Sequence, residues 1–180
     1  RVAALEQCAA QWGTNALELL GIAAGAPSDT RRFDVTDERF LSPAHMADEI
    51  RAATGLTDDA PRAVIARSVV ESVAAGVARV VDELRATEPV VELVIVGGGA
   101  ASSFVRERIA AHAGVRIVTG ATEATALGNA LLQGIALDRF RTLDDARAWA
   151  SASSGVGTRP GRPVRRSISA ILCSRAGPSK

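Results

Sequence analysis

Val94-Ile95-Val96-Gly97-Gly98-Gly99-Ala100-Ala101-Ser102-Ser103 is the stretch whose reading decides the fold of this chain. β-Branched residues run into three glycines, and a pair of serines then opens a helical pattern. Upstream, Val91–Val96 is nearly all apolar, with only Glu92 charged at its entry. Such a run predicts a strand buried on both faces of a sheet. Downstream, Ser102 or Ser103 is the predicted N-cap of a helix carrying Phe104, Val105, Ile109 and Ala110. Glycines remove Cβ atoms, so a ligand can lie directly against the backbone, and they reach the φ > 0 conformations that aim successive N–H groups at one point. A helix N-terminus adds free donors and partial positive charge, which favour phosphate. Strand, glycine turn and helix therefore make Gly97, Gly98 and Gly99 a candidate nucleotide site. The bland alternative is a tight strand-to-helix turn with no ligand.

Working outward, residues 61–86 form the most regular helical pattern. Pro61 opens it, and Ile65, Val69, Val73, Val77, Val80, Val81 and Leu84 make one apolar stripe. Arg67, Glu71, Arg79, Asp82 and Glu83 fall largely off that stripe, and Gly76 predicts a close contact. Residues 1–21 read as a helix that Gly13 divides, and residues 22–42 as a loop. Ser42-Pro43 predicts the start of a short helix through Met46 and Ile50 to Gly55. Beyond the glycines, Val115–Val118 predicts a second strand. Glu123–Leu137 predicts a helix with Ala126, Leu127, Ala130, Leu131 and Ile135 turned inward. A last helix over 142–150 has Thr142 as cap, with Asp145 approximating a capping box. This order implies an α/β layer with a parallel strand pair and a right-handed crossover. Residues 1–150 are expected to form one domain. Residues 151–180, rich in Ser, Gly, Arg and Pro, are expected to be a disordered or loosely attached tail, with no partner for the apolar run Ile168–Cys173.

Composition narrows the class. The chain has 180 residues, 47% hydrophobic and 23% charged, which suits one globular domain. Aromatic residues are only 3% and Tyr is absent, so the core must come from Ala, Val, Leu and Ile. A formal net charge of +1 with mixed signs leaves no basic face for nucleic acid. Arg159, Arg162, Arg165 and Arg166 in the tail read as a solvated end. No apolar run suits a membrane span and no signal peptide opens the chain, so a cytoplasmic protein is expected. Cys8 and Cys173 stand far apart and are expected to be reduced and unpaired. The chain opens at Arg1 inside an apparent helix, which points to a piece of something longer.

Two nucleotide readings compete for the glycine turn. Gly97-x-Gly99-x-x-Ser102 departs from the dinucleotide fingerprint at its last position. That fingerprint also wants an acid at the end of the next strand, where Val118 is followed by Thr119-Gly120. The other reading is a family resemblance. Val94–Gly99, followed by a helix and then by Val118-Thr119-Gly120-Ala121-Thr122-Glu123-Ala124-Thr125-Ala126-Leu127-Gly128-Asn129, is similar to the C-terminal domain of FGGY carbohydrate kinases. Within that family the likeness is greatest to the rhamnulokinase branch. Asp37-Glu38-Arg39-Phe40-Leu41 with Pro43 and Met46 resembles one segment of it, and Gln7-Cys8 with Gln11-Trp12 another. The resemblance covers about residues 4–150 in order.

The resemblance implies an actin-like, ribonuclease-H-like ATPase fold, the chain being the C-terminal lobe of a sugar kinase. It implies Mg-ATP as cofactor and a ketose such as rhamnulose as acceptor. It maps the contact with the nucleotide near its ribose and α-phosphate onto Gly97, Gly98 and Gly99, with Ser102 and Ser103 as further candidates at the helix start. Glu123 and Asn129 are family-like residues without an assigned ligand. In this family the sugar-activating aspartate, the first phosphate loop and most sugar contacts lie upstream of the matched region, so no catalytic or metal-ligating residue is expected here, and the chain alone should be catalytically incomplete. Asp34, Asp37, Asp58-Asp59 and Asp144-Asp145 read as solvated or capping acids, and His45 and His112 as isolated. The chain departs from the branch at Ala101-Ser102, where Gln-Asn is usual, and at Arg106-Glu107, where Asn-Gln is usual. The tail after Trp149 does not resemble the family's end, a break of the kind a frameshift or an unusual terminus produces.

Overall fold

The computed structural model describes residues 3–120, 123–153 and 168–171. Gly13, at φ 65°, breaks the first helical stretch into α1 (Ala3–Trp12) and α2 (Ala16–Ala24). Asn15 caps α2, its side chain accepting from the Glu18 amide at 2.9 Å. The helix therefore runs three residues past the predicted boundary at Gly21.

Next comes α3 (Met46–Thr54), which does not begin at Ser42-Pro43 as predicted. His45 occupies the cap position without a side-chain bond. The capping comes from another element instead. The Gln11 side chain on α1 donates to the Ala44 carbonyl at 3.0 Å and accepts from the Ala47 amide at 3.5 Å. A tertiary contact has replaced the local one. The far end of α3 is closed by Gly55 at φ 64° and by Arg31, which donates to the carbonyls of Thr54 and Gly55.

The central element is α4 (Arg62–Arg85), which packs against α1, α2, α3 and α5 (Ser103–Ala113). Its N-terminal half is buried all round, from Ile65 to Ala74, rather than along one stripe. Ser68 and Ser72 in that half fasten the preceding loop. The Ser68 hydroxyl donates to the Arg31 carbonyl, and Ser72 Oγ accepts from the Phe33 amide. Gly76 does mark a close contact, since an added Cβ would stand 3.1 Å from Val35 Cγ2. Val80, predicted to lie on the stripe, is exposed.

The sheet is small and parallel, in the order β2 (Arg116–Thr119), β1 (Glu92–Val96), β3 (Ile168–Ile171). The predicted parallel pair is therefore present. The stretch Ile168–Ile171, expected to have no partner, pairs with β1 in the register Leu93↔Ile168. The remainder of the predicted tail beyond Ser153 lies outside the described residues. β1 is not buried on both faces. Leu93 and Ile95 are buried in the core with Val105 and Ile109, while Val94 and Val96 on the opposite face are half-exposed. The run lacks alternation because both faces are apolar, yet only one is covered.

Two helices lie between β2 and β3 in the chain. The inward face predicted for α6 (Ala124–Ala136) meets no core: none of its residues is buried. It packs mainly on α7 (Leu143–Ser153). Thr142 and Asp145 make the reciprocal bonds of a capping box, each at 3.1 Å, with Asp in place of the usual Glu. Among the described residues no helix is long and apolar enough to cross a membrane. Cys8 is free and buried, and burial pushes its thiol up to about 11 despite the nearby positive charge of Arg51. Cys173 lies outside the described residues.

Candidate nucleotide site

The glycine turn leaves the carboxyl end of β1. Gly97 adopts φ 85°, ψ −172°, a conformation essentially reserved for glycine. Gly98–Ala101 then form one 3₁₀ turn, in which the Ala100 amide donates to the Gly97 carbonyl at 3.0 Å. The glycines therefore do not run straight into the helix: this turn stands between them and α5. Ser102, not Ser103, is the N-cap, its Oγ accepting from the Val105 amide at 3.3 Å. The Ser102 hydroxyl is thus already engaged, while Ser103 is exposed in the first turn. Ser102→Ala should lower stability by about 1 kcal/mol, and Ser103→Ala by less than about 0.5 kcal/mol. Urea denaturation of both variants checks this contrast.

The turn is half open. Gly99 and Ala100 are buried, whereas Gly98 is exposed and an added Cβ there would meet nothing within 4 Å. The opening lies at the carboxyl edge of a parallel sheet, the side on which open α/β sheets bind their ligands. β2 ends beside it. The Gly120 amide donates to the Ile95 carbonyl at 2.8 Å, and a Cβ on Gly120 would stand 2.5 Å from Val96 Cγ1. Two glycine positions on neighbouring strand ends therefore keep this edge low. Arg106 folds back from α5 and donates to the Ala100 carbonyl.

The position of α5 is set by a buried charge cluster whose α4 members, Arg67 and Glu71, sequence reasoning placed largely off the apolar stripe. Arg67 and Glu71 of α4 are 6% and 3% exposed. Glu71 Oε1 accepts from Arg67 Nε at 3.0 Å and lies 2.9 Å from Arg108 Nε, while Oε2 accepts from Arg108 at 3.2 Å and faces His112 Nε2 at 2.8 Å. Arg67 also donates to the carbonyls of Ala23, Ala24 and Ala26 at the end of α2, and its guanidinium lies 5.0 Å from the Phe104 ring centroid. Burial alone would raise the Glu71 carboxyl. Hydrogen bonds from His112 and Arg108, with the charge of Arg108 and a bond from Arg67, outweigh it and hold the group below its usual range. His112, expected to be isolated, belongs to this cluster. The available signal was Arg67 and Glu71 four residues apart within an otherwise uncharged run.

Other acids behave as predicted. Asp34 accepts from the Thr36 hydroxyl and amide, which with the nearby Arg79 lower its carboxyl. Asp37 caps the turn Glu38–Phe40. Among the described residues no three or more His, Cys, Asp or Glu side chains are grouped to hold a metal ion. A hollow of about 220 Å³ lined by Val35, Thr36, Asp37, Phe40 and Leu41 contains none of the glycines. Glu123 precedes α6 without a capping bond, and Asn129 is exposed on it.

This geometry, an open glycine turn between a parallel strand and a capped helix, coincides with a family assignment. The family model described as the C-terminal domain of the FGGY family of carbohydrate kinases matches residues 3–137, and the chain belongs to that family. It is similar to the rhamnulokinase of Klebsiella pneumoniae (strain 342), 35% identical over 134 residues, which cover 72% of this chain and 28% of that protein. A rhamnulokinase of Enterobacter sp. (strain 638) is 35% identical over 127 residues, covering 68% of this chain and 26% of its own length. The chain thus spans under a third of the length of the curated relatives it matches. Membership in a carbohydrate kinase family leaves the dinucleotide reading without support.

Proposed function

We propose that this chain forms the ATP-side lobe of a sugar kinase of the rhamnulokinase type, with an actin-like ATPase fold. The half-exposed Gly97 and the exposed Gly98 meet the nucleotide near its ribose and α-phosphate, and Gly99 lets the backbone turn beneath it. Mg²⁺ arrives with ATP. The intact enzyme transfers the γ-phosphoryl group to a hydroxyl of a ketose such as rhamnulose. Phosphoryl transfer needs in-line positioning, a metal ion and a group that orients the nucleophile. The resemblance places the sugar-activating aspartate upstream of the matched region, so in this reading the nucleophile is served by the N-terminal lobe. The chain alone is catalytically incomplete.

The observation that carries this reading is the open space over Gly98, where the backbone is bare and nothing stands within 4 Å of the missing Cβ. Isothermal titration with MgATP tests it. Sub-millimolar binding is expected only when the N-terminal lobe of a rhamnulokinase is supplied with the chain, together with phosphorylation of a ketose. Tight binding by the chain alone, or no gain from the added lobe, contradicts it.

A further inference from the structure

We propose that Arg106 is a positioning residue that clamps the glycine turn in its ligand-accepting form. This rests on the nucleotide reading above for its consequence, and on the geometry of the turn for its mechanism. Arg106 lies in the second turn of α5, and its side chain leans back toward the helix start, as helical side chains do. There its Nη1 donates to the Ala100 carbonyl, within the 3₁₀ turn that follows Gly97. Ala100 is fully buried. Among the described residues its carbonyl would otherwise be a partnerless acceptor, which carries a penalty of about 1–3 kcal/mol.

Two consequences follow. The bond engages the Ala100 carbonyl from α5, so this dipole, which would repel a phosphate, is kept from turning to the open side. It also ties a cation to the positive end of a helix, where the dipole disfavours it. No acidic side chain forms a salt bridge with Arg106 among the described residues, and the carbonyl bond is what offsets the repulsion. Lysine can supply a charge there but not the planar fork of donors.

Amide hydrogen exchange on the ¹⁵N-labelled chain, without ligand and with MgATP plus the unlabelled N-terminal lobe of a rhamnulokinase, separates the parts of this proposal. In Arg106→Ala, exchange at the Ala100 amide should rise about tenfold, the effect of one charge-assisted hydrogen bond. Protection in α4 should stay unchanged, and MgATP-induced shifts at Gly97 to Gly99 should need severalfold more nucleotide. Arg106→Lys should recover part of both effects and covers the case in which the alanine variant fails to fold. Unchanged exchange across the turn in Arg106→Ala overturns the clamp, whatever ATP does. So does a loss of protection spread evenly through α4 and α5, which would show a fold-wide role. If exchange rises in the variant while MgATP leaves the wild-type glycine amides unmoved, the clamp stands and the nucleotide reading falls.

Discussion

Glu71→Ala is expected to lower the stability of the chain by about 3–5 kcal/mol, enough to unfold a marginal domain. The carboxylate is 3% exposed and is the shared anion for Arg67, Arg108 and His112. Removing it leaves the Arg67 guanidinium buried with only carbonyls and a ring face for company. Arg108 is 30% exposed at its side chain and can turn to water; Arg67, at 7%, cannot. Arg67→Met combined with Glu71→Leu should therefore lose less than Glu71→Ala alone, because no buried charge is stranded. Urea denaturation of the three proteins at neutral pH checks the order.

The pH dependence has a fixed sign. The folded Glu71 carboxyl sits below the usual 4.5 of a glutamate, so its contribution is full above that value and is lost as pH falls through the folded value. The stability gap between wild type and Glu71→Gln should hold from neutral pH to about pH 5 and close at lower pH. A gap that stays open as pH falls below the carboxylate range contradicts the cluster as described.

Gly97→Ala should lower stability by about 1–3 kcal/mol and abolish nucleotide binding together. At φ 85°, ψ −172° an alanine must either hold a strained backbone or flip the peptide that starts the 3₁₀ turn. The first outcome lowers stability, and the second redirects the amides that face the open side. Gly114 and Gly55 are a useful contrast. Both lie in the left-handed helical region at helix ends, which non-glycine residues enter for about 1–2 kcal/mol, and neither touches the candidate site. Their alanine variants should reduce stability with no separate effect on nucleotide. Thermal midpoints and MgATP titrations on all three variants distinguish these patterns.

How far the sequence could be read depended on whether local or tertiary forces decided each element. α4, β1 and the turn were legible because long apolar periodicity, β-branched residues and glycines act locally. The start of α3 was not, since Gln11 caps it from a helix 36 positions upstream of Ala47. Arg67 and Glu71 were read as lying largely off the apolar stripe; their mutual bond, the contacts of Glu71 with Arg108 and His112, and the three carbonyls that accept from Arg67 allow them to be buried. β1 was read as covered on both faces from its composition, but the structure covers one. The same limit applies to α6, whose apolar face is patterned for burial, with Leu127 and Leu131 left half-exposed. The candidate site was legible as a glycine turn. The intervening 3₁₀ turn, the Ser102 cap and the backward reach of Arg106 depend on backbone geometry that residue types do not state.

Gly98→Val tests the central claim most directly. A side chain added at Gly98 enters open space, so the thermal midpoint should stay close to wild type and any loss of binding must come from the ligand. With the unlabelled N-terminal lobe of a rhamnulokinase supplied, titration of the ¹⁵N-labelled chain with MgATP should move the amides of Gly97, Gly98 and Gly99 in the wild type and leave them unmoved in the variant. A folded Gly98→Val protein that binds MgATP as the wild type does, or wild-type shifts confined to residues remote from the turn, would show that the nucleotide does not sit on these glycines.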